Sequence, residues 1–233
     1  RMNGRSQRRE SEARLYGIVD LGYISPGDCE SVTGALLQGG VDILQLRAKN
    51  HEESAILRIA QRLVPLCRAR EVPLIVNDFV NVALEAGADG VHLGQEDGDL
   101  AEAVASLPAG SLVGRSTHTP SQAWAALREG ASYIGFGPLF PTPTKEGRPG
   151  IGLNDIAEIE ETVGGQIPVF CIGGIKPGNL DEVLASGARR VAIVSGLLQA
   201  PDIAECCRGV RERLGEQTPG VPAGNIGLES SRD

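Results

Sequence analysis

The sequence is poor in aromatic side chains, only 3% of the total, and its 22 lysines and arginines are outnumbered by 30 aspartates and glutamates, giving a formal charge of −8. A nucleic-acid groove is built from a basic face and stacking platforms, so that class of function is excluded. An anionic small molecule would have to be met by a local cluster of cations instead. No apolar run approaches the roughly 18 to 20 residues that span a bilayer, and the N-terminus is charged rather than signal-like. A soluble, cytoplasmic protein with no membrane partner is therefore expected. The five cysteines, Cys29, Cys67, Cys171, Cys206 and Cys207, are odd in number and lack metal-ligand spacing. Reduced thiols are expected rather than a disulfide framework or a zinc site.

What the chain does have is a regular alternation of short apolar runs with helix-like segments. Residues 1–13 are polar, arginine-rich and aperiodic, and read as a disordered tail or an expression remnant; residues 215–233 read as a second disordered tail. Between them, strands are expected at 15–19, 43–47, 74–76, 90–93, 112–115, 133–137, 169–172 and 190–194. Helices are expected at 25–40, 50–70, 80–86, 100–107, 119–129, 154–163, 177–185 and 201–214. The helix starts carry local signals: Ser25-Pro26, Asn50 with Glu53, and Thr119-Pro120. Each strand is a largely continuous apolar run, as parallel strands buried on both faces should be. A weak internal echo, Gly40-Val41-Asp42, Gly87-Ala88-Asp89, Gly130-Ala131-Ser132 and Gly187-Ala188-Arg189, falls on every second unit, with the glycine placed to end a helix in the left-handed conformation. A single (β/α)8 TIM barrel over residues 14–214 is predicted. An open doubly wound sheet is the weaker alternative, because no Gly-x-Gly-x-x-Gly follows the first strand.

In such barrels chemistry gathers where strands end and βα loops begin. The sixth strand delivers Gly137-Pro138-Leu139-Phe140-Pro141-Thr142-Pro143-Thr144-Lys145, too rich in proline to be helix or strand. Its two hydroxyls and one ammonium suit a phosphate, although a solvated turn could look the same. The loop from Pro138 to Gly150 is expected to act as a lid. The second strand ends Gln45-Leu46-Arg47-Ala48-Lys49, where alternation sets an amide and two cations on one face. The third ends in Asn77-Asp78 and the fourth runs on to Asp97. Two carboxylates beside a basic cluster are what Mg2+ needs to bridge protein and phosphate oxygens, while either alone could be a helix N-cap. Glycines in Ile172-Gly173-Gly174 and Val194-Ser195-Gly196 expose backbone N–H groups that can bind a second phosphate, or are ordinary turn glycines. Two anion pockets, and so two phosphorylated small molecules, follow.

Together these stretches resemble the thiamine phosphate synthase family over residues 14–200. The resemblance implies a (β/α)8 barrel that joins hydroxymethylpyrimidine diphosphate to a thiazole phosphate, releasing pyrophosphate with Mg2+. It assigns Gln45, Arg47, Lys49 and Asn77 to the pyrimidine diphosphate, and Asp78 and Asp97 to Mg2+. Ser116 and Lys145 would hold the pyrimidine or its leaving group, and Thr142, Thr144, Gly174, Val194 and Ser195 the thiazole phosphate. Arg47, Lys49 and Lys145 would carry the catalysis by stabilising charge on the departing pyrophosphate. The chain departs from the family pattern at Ala48, where an acidic residue is usual, at Arg115, where an apolar one is usual, and in the irregular first strand, Tyr16 to Asp20. The thiazole tautomerases, which share the barrel and place a histidine near His118, are the nearest alternative. A non-catalytic barrel that senses phosphorylated metabolites is the alternative from another class.

Overall fold

The computed structural model describes residues 12–142 and 149–215, so the two expected tails lie almost wholly outside the described residues. Eight strands form the frame: β1 (Leu15–Asp20), β2 (Ile43–Arg47), β3 (Leu74–Asn77), β4 (Gly90–Leu93), β5 (Leu112–Thr117), β6 (Tyr133–Phe136), β7 (Val169–Ile172) and β8 (Val191–Ile193). Every strand pairs in parallel with the next, and β8 pairs with β1 to close the barrel. Helices α1 (Cys29–Gly39), α2 (Glu53–Arg68), α3 (Val80–Ala86), α4 (Leu100–Ser106), α5 (Pro120–Arg128), α6 (Ile156–Thr162), α7 (Leu180–Ala185), the four-residue α8 (Ser195–Leu198) and α9 (Ile203–Gly215) connect and cover the strands. No helix among the described residues is long and apolar enough to cross a membrane.

Alternation along each strand divides the core in two. Leu15, Val19, Leu44, Leu46, Leu74, Val76, Val91 and Leu93 face outward and pack against the helices. Tyr16, Ile18, Ile43, Ile75, Leu112, Tyr133, Phe170 and Ala192 face inward and fill the barrel, which is therefore packed rather than a pore. Ala48, one step off the inward register, is buried in the outer layer, as alternation requires. All five cysteines are free thiols, four of them buried, and burial pushes Cys67 and Cys207 up to about 12, where they stay protonated.

The internal echo has a structural meaning. Gly40, Gly87, Gly130 and Gly187 all take positive φ, from 66° to 103°, ending a helix before the next strand. Two residues later, Asp42 accepts hydrogen bonds from the amides of Arg14 and Leu15, Asp89 from that of Leu74, and Ser132 from that of Val113. In three of the four echoes a side chain thus satisfies the amide at the start of the preceding odd strand. These bonds sit at the N-terminal end of the barrel, the end concerned with stability. Asp42→Ala should accordingly lower stability by about 2 to 3 kcal/mol, since two partly buried amides lose their acceptor. Denaturant titration would show that loss, and the activity of the folded fraction should match the parent.

Differences from expectation lie at element ends. Ser25 donates its hydroxyl to the Asp28 carboxylate instead of capping, and a 3-10 turn, Pro26–Asp28, precedes α1. No capping box forms at Asn50: α2 begins at Glu53 with Glu52 in the cap position and no side-chain cap bond. Thr119 does cap α5, accepting from the Gln122 amide. The expected last helix, 201–214, is α9, and an additional short helix, α8, precedes it because the chain turns at Val194 directly into helix.

Candidate functional site

The floor of the C-terminal mouth is aromatic and hydrogen-bonded. Tyr16, Tyr133 and Phe170 meet with ring centroids 5.3 to 5.8 Å apart. The two tyrosine hydroxyls join a chain of side chains across the barrel: Gln45 Nε2 donates to Tyr16 Oη (2.9 Å), which meets Tyr133 Oη (2.9 Å), which meets His92 Nδ1 (3.1 Å), whose Nε2 meets Ser116 Oγ (3.0 Å). Burial raises both tyrosines well above the usual phenol range, so both stay protonated. Above this floor lies a cavity of about 540 Å³, lined by Gln45, Arg47, Asn77 and Ser116 as polar groups and by Ile172, Ala192 and Val194 on its far wall.

On the β1–β4 side the predicted residues come together, with a partner that the motifs did not reveal. Arg47 Nη1 donates to Asp20 Oδ2 at 2.8 Å, and Asp20 is only 1% exposed. A buried carboxylate at the end of β1 therefore fixes the guanidinium toward the cavity, and Asp20 is itself held by accepting from the Gly22 amide. Lys49 Nζ stands 3.4 Å from Asp78 Oδ2 and is half exposed. Asp78 sits at φ 69°, a left-handed conformation that aspartate tolerates better than most residues.

Neither Asp78 nor Asp97 caps a helix. Phe79 occupies the cap position of α3 without a side-chain bond, α4 is capped by Asp99, and Asp97 Oδ2 accepts instead from the Gly94 amide at 2.9 Å. The two carboxylates meet each other. Burial, with a hydrogen bond shared with Asp97, pushes the Asp78 carboxyl up to about 6 against the pull of Lys49. For Asp97, burial acts upward too, but the bond to Asp78, the charges of Lys49 and Arg115 and the Gly94 amide outweigh it and hold it below the usual carboxylate range. Two carboxylates brought together, one of them holding its proton more tightly than usual, fit a divalent cation that would relieve their repulsion. No cluster of three or more His, Cys, Asp or Glu occurs among the described residues, so the remaining ligands would be water and phosphate oxygens, the shell Mg2+ favours.

On the β6–β8 side a second cavity, of about 460 Å³, is lined by Pro138, Thr142, Gly173, Gly174, Val194 and Ser195, and it shares Ile172, Ala192 and Val194 with the first. Gly173 and Gly174 both have positive φ, and a Cβ on either would collide with Pro138 or Phe140. Only glycine lets β7 pass so close beneath the loop. That loop is anchored at its stem, the amides of Leu139 and Phe140 donating to Ile172 and Gly173 and those of Ile151 and Gly152 to Pro138 and Leu139. Thr144 and Lys145, and with them the centre of the expected lid, lie outside the described residues. His118 donates from Nδ1 to the Gly137 carbonyl.

The motif reading missed Asp20, Tyr16 and Tyr133. The signal was available, because alternation from Tyr16 through Ile18 sends Asp20 inward beside Arg47, its register partner on β2.

The family model described as thiamine monophosphate synthase matches residues 15–197. A thiamine-phosphate synthase of Thermus thermophilus is 46% identical over 78% of this chain and 87% of its own length. One from Acidothermus cellulolyticus is 40% identical over 88% of this chain and 96% of its own. Among solved structures, a thiamine phosphate pyrophosphorylase from Pyrococcus furiosus superposes with a TM-score of 0.79 at 34% identity, covering 90% of this chain and 98% of that one.

Proposed function

The chain belongs to the thiamine monophosphate synthase family, and from that premise we infer that it joins hydroxymethylpyrimidine diphosphate to a thiazole phosphate, giving thiamine phosphate and pyrophosphate. The observation that carries this reading is the shared wall: two cavities, one lined by Arg47 with the polar groups of Gln45, Asn77 and Ser116 and one by Gly173, Gly174, Thr142 and Ser195, meet at Ile172, Ala192 and Val194. Two phosphorylated substrates bound there would place their rings side by side, turning a bimolecular reaction into one between held neighbours.

The bond between the pyrimidine methylene and its diphosphate oxygen breaks with both electrons going to oxygen, and the thiazole nitrogen supplies the pair for the new C–N bond. The thiazole nitrogen is itself the nucleophile and no proton is gained or lost, so the protein needs neither a nucleophile nor a general base. Its residues bind and neutralise instead. Gln45, Asn77 and Ser116 orient the pyrimidine end, Arg47 and Lys49 face the diphosphate, and Lys145 would complete that charge from the loop. Asp20 holds the Arg47 guanidinium in place before substrate arrives, a preorganisation that removes a reorientation cost at the moment of reaction. Thr142, Thr144, Gly174, Val194 and Ser195 would take the thiazole phosphate. Asp78 and Asp97 would hold Mg2+, which supplies charge neutralisation at the leaving pyrophosphate.

Incubating the protein with both substrates, with and without Mg2+, tests the reading. Thiamine phosphate should form only with the metal. No product under either condition overturns the assignment, and full activity in excess EDTA removes its metal part.

A further inference from the structure

Arg115 has no task in the site as drawn so far beyond its charge near Asp97, yet its side chain is committed. It lies on β5 in register with Leu93 of β4, and its neighbours Gly114 and Ser116 face the barrel interior, so its own side chain emerges on the other side of the strand. There it reaches the loop between β4 and α4. Nη1 donates to the Gly98 carbonyl at 2.9 Å and Nη2 to the Gln95 carbonyl at 3.3 Å. Those two carbonyls flank Asp97. The same turn is drawn to β5 a third time by Gln95 Nε2, which donates to the Ser116 carbonyl at 2.6 Å. Within the turn, the Asp97 amide bonds the Gly94 carbonyl and the Asp97 carboxylate accepts from the Gly94 amide. Gly98 holds φ 111°, so the backbone itself is committed to one shape.

We infer that Arg115 is a positioning residue whose guanidinium fork clamps the Gln95–Gly98 turn and so holds the Asp97 carboxylate beside Asp78. A guanidinium can do this because its donors are rigidly disposed and always charged, and a charge-assisted bond to a main-chain carbonyl does not depend on what side chains the turn carries. Without the clamp the turn keeps its internal bonds but loses two ties to β5, and the distance between the carboxylates is no longer fixed. The inference rests on the reading of Asp78 and Asp97 as a divalent-cation site.

The test measures metal binding directly. Mn2+ is titrated in the presence of inorganic pyrophosphate and followed by electron paramagnetic resonance, for the parent, Arg115→Met, Arg115→Lys and Asp97→Asn, alongside amide exchange of residues 95–98. Arg115→Met should weaken Mn2+ by about 10-fold or more, the usual effect of removing an outer-shell support, and should speed exchange in the turn. Arg115→Lys should fall between it and the parent, since one ammonium lacks the fork. Parent-like Mn2+ affinity in Arg115→Met alongside a weakened Asp97→Asn overturns the inference, leaving Arg115 a purely structural residue. Unchanged affinity in both overturns the carboxylate site itself and the inference with it. Should Arg115→Met fail to fold, Arg115→Lys decides by the same comparison with Asp97→Asn.

Discussion

Asp78→Asn is expected to reduce turnover by on the order of 100-fold, the scale seen when one group stabilising leaving-group charge is lost. Stability should stay within about 1 kcal/mol of the parent. The asparagine has the same shape, creates no cavity and tolerates the left-handed backbone that Asp78 adopts at φ 69° nearly as well. Lys49 loses its 3.4 Å partner, but that pair is half exposed on the lysine side and contributes little. Parallel measurement of thiamine phosphate formation and thermal unfolding checks both halves. A variant that unfolds early but turns over at the parent rate when folded would show that Asp78 is structural. Asp78→Ala should lose stability as well, because alanine carries the strain of positive φ without a side chain that suits it.

Lys145→Ala should lower turnover by on the order of 100-fold or more while the affinity for thiazole phosphate changes little. The residue follows Thr142-Pro143-Thr144, on the loop whose stem is pinned over Gly173 and Gly174. In the sequence it follows β6, whereas Arg47 and Lys49 stand at the end of β2. Arg47 is already paired with Asp20, and Lys49 stands against Asp78. Steady-state kinetics together with calorimetric binding of the thiazole phosphate separates the two effects. A tautomerase using His118 would instead tolerate the lysine change and fail with His118→Ala. Parent-rate synthesis by Lys145→Ala removes the lysine from the mechanism.

The barrel was legible because its signals are local and repeated. Short β-rich apolar runs alternate with helical segments, four glycine-led echoes fall before every second strand, and backbone geometry leaves few ways to join eight parallel strands. Gln45, Arg47, Asn77, Asp78 and Asp97 were legible as a candidate site because they gather on the inward face or just past the C-terminal ends of β2, β3 and β4. Asp20 was less so: a lone aspartate after an apolar strand reads as a turn residue, and only its register beside Arg47 reveals it as a buried counter-charge. Arg115 was illegible as anything but an anomaly, since its partners are main-chain carbonyls and carbonyls leave no trace in a sequence. The short helix α8 escaped for a similar reason. Four residues give no period to read.

The interior chain beneath the cavity also has two unlike ends. Tyr16 Oη accepts from Gln45 Nε2, and from Tyr16 the chain runs through Tyr133 Oη and the two ring nitrogens of His92 to Ser116 Oγ. At one end stands the Ser116 hydroxyl, and at the other the Gln45 amide, whose Nε2 is committed to Tyr16 and whose Oε1 is an acceptor. A flat ring lying between them meets a hydroxyl on one side and an amide oxygen on the other. Turned over, it sets an acceptor against that oxygen, at about 1 to 3 kcal/mol for a buried group left unpaired. The floor of the barrel is thus a polarity filter, and it selects which face of a heteroaromatic ring points up.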